Sequence, residues 1–560
     1  MQCYTFLYIR DNFQLSTLNS KLSPLIVHYS SITKSRLLTS VVAILALMSV
    51  EAQNTSELPR LVVNILVDQL RTDYMEAFSP LYGEDGLKRL MAEARFYTDC
   101  QQPFYRADRA SASASLSTGT SPSVHGIPSL SWLSRETLQP IFCVDDNRNK
   151  GLQTTERTSA QRLLSTTLTD ELELATGKKS IVYSVAPERE VAVLMAGHLA
   201  DGAFWINDET GSWCSSDYYG APYPAWAAAY DHANPLSGRI KKLVYESVYE
   251  GALMDFHYFQ SLSDDHQKDF KHKFEGNRRY RLLKNSALVN DEVVGFVDRC
   301  LQGSYIGRDR IPDILNVGLY AGNFDHRSVT EAPSELQDAY VRLDQALAHL
   351  MTSVEKVVGK NGALFVVSST GYVDNEDNGS RLQQIPTGTF SMQRASMLLN
   401  MYLAAIFGQA QYVVATYNNQ IYLDHKLIEQ KQLRLADLLA RSEEFLAQMA
   451  GVRQVYTSQS LMLSSWEPRV ARIRAGWNAA CSGDVLVEVN PGWTIAYENS
   501  TEYTNQGEAY LSFPLFFLGA DIISERIATP VTTTAVAPTL ARCLRIRAPN
   551  GSREAPLVLK

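Results

Sequence analysis

The sequence predicts an α/β protein in which helices cover a mostly parallel central sheet and an α+β subdomain is inserted late in the chain. Short, continuously apolar runs such as LVVNILVD at residues 61–68 have the composition of strands buried on both faces. These runs alternate with longer segments whose apolar residues recur at helical spacing, which is typical of a layered fold with helical crossovers. About 140 residues of different texture separate the fourth and fifth apolar runs and indicate the insertion.

Continuous apolar runs predict the strands of the core, and apolar residues at helical spacing predict its helices. The predicted strands are residues 61–68, 179–186, 312–320, 362–370 and 511–519, and the predicted helices are residues 86–94, 159–175, 334–358 and 529–546. Ser334 and Gln337 have the spacing of a capping box at the start of the longest helix. Within the insertion, residues 412–424 and 484–497 read as strands and residues 437–451 as a helix.

These elements predict four parts of the chain. The predicted parts are a presequence at 1–52, a core at 53–390 with a cap insertion at about 201–310, an α+β subdomain at 391–500, and a C-terminal return to the core at 501–560. Residues 204–226 of the cap are rich in Tyr and Trp. They form either a recognition surface or a compact cap packed by its own aromatic side chains.

The N-terminal segment has the pattern of a secretory signal. Lys34 and Arg36 precede an apolar run at about 37–50, and the small residue Ala52 follows. This pattern predicts cleavage near Ala52 and export to the periplasm or the extracellular face, with no transmembrane span in the mature chain. The alternative is that the apolar run stays as an anchor. Six cysteines follow the presequence, and their spacing permits disulfides but names no pairs.

Charge excludes one class of partner. The net charge is -8, the sequence pI is about 5.8, and no block of basic residues stands out. A nucleic-acid partner is therefore not expected.

Several motifs occur in an order that resembles a known family. They include LVVNILVDQLRTDYMEAF, STGTSPSVHGI, LMAGHLADGAFW, NNQIYLD, VLVEVNPGW and FPLFFLGADI. From about residue 60 to the C-terminus the chain resembles the alkaline phosphatase superfamily, in the branch of type I phosphodiesterases/nucleotide pyrophosphatases and phosphate-irrepressible alkaline phosphatases. The resemblance implies an alkaline-phosphatase-like fold. It also implies hydrolysis of phosphate esters by two zinc ions and a Thr or Ser nucleophile.

The positions that the resemblance assigns to this chemistry mostly carry other residues. The first metal ligand is retained as Asp68, whereas the nucleophile position falls on Arg109, whose guanidinium cannot attack phosphorus and would oppose two zinc ions. The other assigned positions fall on Ser113, Leu130, Glu188, Glu190, Asp325, His326, Ser369, Thr370 and Ser512. Glu188 and Glu190 replace a Lys-x-Arg pair and would repel a phosphate dianion.

The metal interpretation has two branches. Ser and Thr hydroxyls are poor zinc ligands, so no cofactor is expected, and zinc is expected only if the site is rearranged. Asp68 is either a remnant metal ligand or a polar residue that closes a strand. Asp325 and His326 either join Asp68 in a rebuilt single-metal site or form a solvated loop pair.

The functional hypothesis follows from these losses. We expect a pseudophosphatase without catalytic residues, kept for a binding or structural role in the cell envelope, with an envelope protein or a glycan as its partner. The alternative is an active metal-dependent phosphatase or phosphodiesterase with a rearranged site. STGTSPSVHGI either cradles an anion at a helix N-terminus or forms tight structural turns, and His125 and His198 are expected to be hydrogen-bonded structural residues.

Overall fold

The computed structural model describes residues 58–248, 269–372, 386–463, 467–496, 504–505 and 511–560. The predicted presequence at 1–52 and its cleavage site lie outside the described residues. No helix in the described ranges is both long enough and apolar enough to cross a membrane.

The centre of the fold is a mixed sheet that has 11 strands within the described residues. Its strands are β1 (Leu61–Asp68), β2 (Arg95–Gln101), β3 (Gly151–Leu152), β4 (Val182–Val185), β5 (Gly202–Ile206), β6 (Trp213–Ser216), β7 (Asp313–Tyr320), β8 (Ala363–Ser369), β9 (Phe513–Gly519), β10 (Glu525–Ile527) and β11 (Val531–Thr532). The order is β10-β2-β9-β8-β1-β7-β4-β5-β6-β3, and β11 pairs with β2. Strands β8, β1, β7, β4 and β5 run parallel, whereas β9 runs antiparallel to β8 and β6 antiparallel to β5.

The predicted α/β class with a mostly parallel sheet is confirmed. All eight residues of β1 are buried, because helices cover both faces of the sheet. Alternate residues of β1 point to opposite layers: Val63 packs in one core cluster with Leu343, and Leu66 packs in the other with Leu540. Residues 202–206 and 213–216, which the sequence assigned to the cap, are strands of the central sheet itself.

The two helical layers are built mainly from the following elements. The helices are α1 (Thr72–Ala77), α2 (Leu87–Glu93), α3 (Arg109–Thr118), α4 (Pro122–His125), α5 (Leu168–Thr176), α6 (Arg189–Ala196), α7 (Ala225–Ala233), α8 (Arg279–Lys284), α9 (Val289–Gly303), α10 (Pro333–Val358) and α11 (Val536–Leu544). Helices α3, α6 and α11 contribute to one cluster, and α9 and α10 to the other.

Two predicted helix starts and one predicted capping box are wrong. Helix α5 begins at Leu168 and not near residue 159, because Thr167 and Asp170 form a capping box there. The predicted capping box at Ser334 and Gln337 does not form, since α10 begins at Pro333 and its N-cap has no side-chain hydrogen bond. Helix α11 begins at Val536, after a 3-10 turn, and not near residue 529.

The inserted segment has its own apolar core and mixed α and β elements. Its helices are Met392–Phe407, His425–Gln430, Leu435–Leu446, Ser458–Leu463 and Pro468–Gly476, and its four-stranded antiparallel sheet contains Val413–Tyr417, Gln420–Leu423, Val485–Val489 and Val452–Thr457. A second sheet joins Gly388–Ser391, Trp493–Ala496 and Thr504–Asn505. Shorter elements elsewhere are the strands Ser131–Leu133, Pro140–Phe142, Val244–Glu246 and Lys271–Lys273 and the helix Leu236–Arg239.

The aromatic segment at 204–226 packs inward. Phe204, Trp205 and Trp213 are buried, and Trp213 stacks on Phe296 of α9 with ring centroids 4.0 Å apart. Of the two interpretations of this segment, the geometry favours packing by its own aromatic side chains over a recognition surface, although much of the segment belongs to the central sheet and not to a cap. The six cysteines between residues 58 and 560 are all unpaired in the structure.

Candidate functional site

The candidate site lies at the carboxyl edge of the parallel strands. Asp68 is the last residue of β1 and is paired in register with Tyr320, the last residue of β7. On the other side of β1, Val67 is in register with Ser369, the last residue of β8. Because these strands run parallel, their ends meet at one edge of the sheet, which is where α/β folds bind ligands.

Helix α3 begins above this edge. Asp108 is its N-cap and accepts hydrogen bonds from the backbone N–H of Ser111 at 2.8 Å and of Leu130 at 2.6 Å. A carboxylate of the chain therefore already satisfies the helix N-terminus. The small residues of RADRASASA form α3, while STGTSPSVHGI forms its last turn and α4, so the second motif does not begin the helix.

Arg109 is the first residue of α3 and points at three carboxylates. Its Nη1 lies 3.4 Å from Asp68 Oδ2 and 3.8 Å from Glu188 Oε1, and its Nε lies 3.2 Å from Glu190 Oε1. Glu188 is the N-cap of α6 and Glu190 lies in its first turn, directly after β4. The position that the resemblance assigned to a nucleophile thus holds a cation inside an acidic pocket.

The second oxygen of Asp68 is also engaged. Thr370 donates its hydroxyl to Asp68 Oδ1 at 2.9 Å and accepts the backbone N–H of Gln69 at 3.1 Å. Asp68 is 6% exposed, so both of its oxygens are held by protein groups and little by solvent. A carboxylate in this arrangement is a fixed negative charge at the end of β1.

A second cation enters the pocket from a distant segment. Lys284, the last residue of α8, is 5% exposed, and its Nζ lies 2.8 Å from Glu188 Oε2 and 2.5 Å from Asp208 Oδ1. Sequence reasoning missed both Lys284 and Asp208. Neither residue lies in a motif, and their proximity to Asp68 depends on the path of the chain between them.

The two cations stabilise the ionised form of Glu188. Burial alone would raise the pKa of Glu188, but the charges of Lys284 and Arg109 hold that pKa at about 2. Burial, opposed by Arg109 and reinforced by the charge of Glu188, raises the pKa of Glu190. For Lys284 burial alone would lower the pKa, and the carboxylates of Glu188 and Asp208 raise it instead.

The same balance applies to the guanidinium. Burial alone would lower the pKa of Arg109, but the acidic groups around it raise that pKa above its ordinary value, namely Tyr372, Glu188, Glu190 and Asp68. Arg109 is therefore permanently charged.

Asp325 and His326, the other predicted metal ligands, lie in a 3-10 turn after β7. Asp325 Oδ1 is 3.3 Å from Arg278 Nη2, and His326 Nδ1 is 3.4 Å from Gln69 Nε2. Across the described ranges, no group of three or more His, Cys, Asp or Glu side chains is arranged to hold a metal ion. The structure therefore brings Asp68 together with Arg109 and Thr370, and does not gather it with Asp325 and His326 as a ligand set.

The donor set at the edge does not fit two zinc ions. Asp68 offers one carboxylate, which is already bound to Arg109 and Thr370. The nearby carboxylates of Glu190 and Glu188 are paired with Arg109 and Lys284, and the other groups described beside Asp68 are a hydroxyl and a guanidinium. Ser512, the assigned position of a histidine ligand, donates its hydroxyl to Asp99 at 2.7 Å. Zinc in proteins is bound by thiolate, imidazole or carboxylate ligands in tetrahedral geometry.

Both predicted structural histidines are hydrogen-bonded within the protein. His125 accepts the backbone N–H of Ile127 at Nδ1 and lies 2.9 Å from Ser115 Oγ at Nε2, and burial lowers its pKa to about 3. His198 contacts Asp170 Oδ2 at 2.8 Å. Burial alone would lower the pKa of His198, but the Asp170 bond raises it. The predicted hydrogen bonding of both residues is confirmed.

Comparison with known proteins places this geometry in a family context. The model of the family described as type I phosphodiesterase / nucleotide pyrophosphatase matches residues 62–510. The chain is 28% identical over 546 residues to alkaline phosphatase PafA of Elizabethkingia meningoseptica, covering 94% of this chain and 99% of that protein. It is 26% identical over 512 residues to alkaline phosphatase PhoV of Synechococcus elongatus, covering 88% and 91%. The crystal structure of wild-type alkaline phosphatase PafA superposes with a TM-score of 0.77 at 27% identity, covering 90% of this chain and 99% of that one.

Proposed function

Because the chain belongs to the type I phosphodiesterase/nucleotide pyrophosphatase family of the alkaline phosphatase superfamily, we propose that it is a non-hydrolysing member, a pseudophosphatase with a binding or structural role in the cell envelope. Its partner in this proposal is an envelope protein or a glycan, and it uses no zinc. The N-terminal pattern supports export to the periplasm or the extracellular face, with cleavage near Ala52.

One observation carries the proposal: Arg109 stands at the assigned nucleophile position and forms an ion pair with Asp68. A guanidinium stays protonated in proteins and has no lone pair to attack phosphorus. Its charge also takes the place of the positive charge that the family's chemistry draws from metal ions. An ester bound here would meet no activated nucleophile.

The second candidate is an active phosphoric ester hydrolase with a rearranged site. Similarity over nearly the full chain to two proteins named alkaline phosphatase favours it. Fold and family alone do not establish activity, since function depends on the site.

Metal analysis and ester hydrolysis on the same purified full chain separate the two candidates. We expect no stoichiometric zinc and no turnover of p-nitrophenyl phosphate or bis(p-nitrophenyl) phosphate above the rate without protein. Asp68→Asn serves as the control, because any hydrolysis that survives it does not use this site. Close to two zinc ions per chain, with turnover that a chelator and Asp68→Asn both abolish, would establish the hydrolase and sink the pseudophosphatase.

A further inference from the structure

The helix Met392–Phe407 of the inserted segment is apolar on both of its faces. Arg394 is the single charged residue among its 16 residues. The inner face packs into the apolar core of the segment and consists of Met392, Ala395, Leu399, Leu403 and Ala404. A helix that is apolar all round is normally covered on every side, by protein or by lipid.

The other side of this helix is exposed and carries large apolar side chains. Met397 is 55% exposed, Leu398 36%, Met401 68% and Ile406 45%. Positions 397, 401 and 405 are four residues apart, so the patch runs continuously along the helix. Exposed apolar residues that occur singly are ordinary, whereas a continuous patch marks an interaction surface. We call this patch the outer face, defined by residues 397, 398, 401, 405 and 406.

Cations stand at both ends of the outer face. Arg394 is exposed one turn before Met397. At the other end, the exposed Lys431 places its Nζ 3.3 Å from the carbonyl oxygen of Gln409, directly after the C-cap Gly408. In the described parts of the chain, neither cation forms an ion pair with a carboxylate. Both charges are therefore available to an anionic partner.

The surroundings of the outer face are close to neutral. On its flank, Arg441 pairs with Glu444 at 2.8 Å, and Tyr402 stacks on Phe445 with ring centroids 4.6 Å apart. Residues 391–500 contain nine basic and nine acidic residues, so the net charge of -8 belongs to the rest of the chain. The inserted segment therefore carries no acidic surplus that would repel an anionic partner.

The end charges argue against a second copy of the chain as the partner. A two-fold axis perpendicular to the helix would bring Arg394 of one copy against Lys431 of the other, and an axis along the helix would bring Arg394 against Arg394. Like charges placed opposite each other weaken an isologous interface. The outer face also presents Met, Leu and Ile instead of the Trp, Tyr and Arg anchors that dominate protein interfaces. An anionic bilayer fits both features, since acyl chains accept the apolar face and phosphates accept the cations.

We propose that the outer face docks onto the surface of an anionic phospholipid bilayer, with the helix in the plane of the interface and Arg394 and Lys431 on lipid phosphates. The helix is about 24 Å long and its inner face is buried in protein, so it lies on the bilayer and does not cross it. The inference goes beyond the proposed function, because it holds whether or not the chain hydrolyses esters.

The experiment measures binding of the full chain to vesicles of phosphatidylglycerol and phosphatidylethanolamine, and to vesicles of phosphatidylcholine, by flotation. Three variants are compared with the natural chain: Met397→Gln with Met401→Gln, Arg394→Gln with Lys431→Gln, and the control Leu174→Gln. Leu174 is an apolar residue on α5 that is 58% exposed, close to the exposure of Met397. All the substituted side chains are exposed, and thermal unfolding verifies that each variant is folded.

We expect the natural chain and Leu174→Gln to bind the anionic vesicles equally. The double Met variant should bind them at least about tenfold more weakly, because it removes apolar area from the interface. The double cation variant should also bind about tenfold more weakly and lose the preference for anionic over phosphatidylcholine vesicles.

The apolar run at 37–50 is shared by every variant and can bind lipid by itself, so position 401 is also probed directly. An environment-sensitive fluorophore is attached to Met401→Cys and, as the control, to Leu174→Cys. The labelled natural chain gives the background from its own cysteines. With anionic vesicles the emission at position 401 should shift to shorter wavelength and be shielded from iodide, and that at position 174 should not change.

The label at position 401 decides the outcome. No shift with anionic vesicles overturns the inference, even if the chain binds them through another segment. A double cation variant that keeps its full preference for anionic vesicles overturns the choice of an anionic surface. A shift that appears without vesicles as protein concentration rises, together with dimers in analytical ultracentrifugation, assigns the face to a second copy and also overturns the inference. Failure of the proposed function would appear separately, as metal-dependent ester hydrolysis by the natural chain.

Discussion

Glu173 on helix α5 gives the protein a stability that falls as pH rises. The residue is 2% exposed, and within the described parts of the chain its Oε1 has no hydrogen-bond partner. Burial raises the pKa of Glu173 to about 7, and the charges of Asp201 and Asp313 add to the effect while Lys178 opposes it. Both aspartates accept backbone N–H groups at the start of β4, from Ile181 and Val182.

The sign and size of the effect follow from proton linkage. The ordinary pKa of a glutamate is 4.5 and that of folded Glu173 is about 7, so between these values the folded state holds a proton that the unfolded state has lost. Stability is fully present below about pH 4.5 and is lost as pH rises toward 7. The loss amounts to at most about 3.5 kcal/mol, at about 1.4 kcal/mol per pKa unit.

The substitution Glu173→Gln replaces the buried acid with a neutral group of the same shape. We expect it to raise the free energy of unfolding by up to about 3.5 kcal/mol at pH 8 and by much less at pH 5. Urea unfolding at pH 5, 6, 7 and 8 measures this difference, with Glu136→Gln as a control at an exposed position. A difference between variant and natural chain that is the same at every pH would refute the reasoning.

Three further expectations can be checked by the same unfolding measurements. Because burial lowers the pKa of His125 to about 3, stability should fall as pH drops from about 6.5 toward 3, and His125→Asn should flatten that dependence, whereas an unchanged slope would contradict it. Gly119→Ala should lower the free energy of unfolding by about 1 to 3 kcal/mol, because φ of Gly119 is 65° and a Cβ there would lie 2.9 Å from Ser552 Oγ. Gly177 has φ 63° but open space around it, so Gly177→Ala should lower the free energy of unfolding by less than Gly119→Ala does. The difference between the two variants measures the effect of crowding apart from that of backbone strain. Trp213→Ala should lower the free energy of unfolding by about 3 to 5 kcal/mol, and a change near zero would mean that this edge of the sheet does not depend on the stack of Trp213 on Phe296.

Sequence reasoning located the strands well but misplaced two of the helix starts. The strand over 61–68 was predicted at its observed bounds, because a strand buried on both faces is continuously apolar. The start of α5 was misplaced by nine residues, although Thr167 and Asp170 are a local capping signal. The helical spacing of apolar residues continues on the N-terminal side of Thr167, and the prediction followed that spacing instead of the capping residues. Residues 202–216 were assigned to the cap because strand pairing depends on contacts distant in sequence.

The sequence by itself determined the α/β class and the place of Asp68 at the end of a buried strand, since these depend on residue type and local periodicity. Only the tertiary structure decided what Arg109 does. Its partners Glu188 and Glu190 lie about 80 residues away, and Lys284 lies farther still. The charge of Arg109 neutralises the carboxylates around it because its nitrogen atoms lie 3 to 4 Å from their oxygens. Those distances are set when the parallel strands bring their carboxyl ends to one edge of the sheet, which no local stretch of sequence specifies.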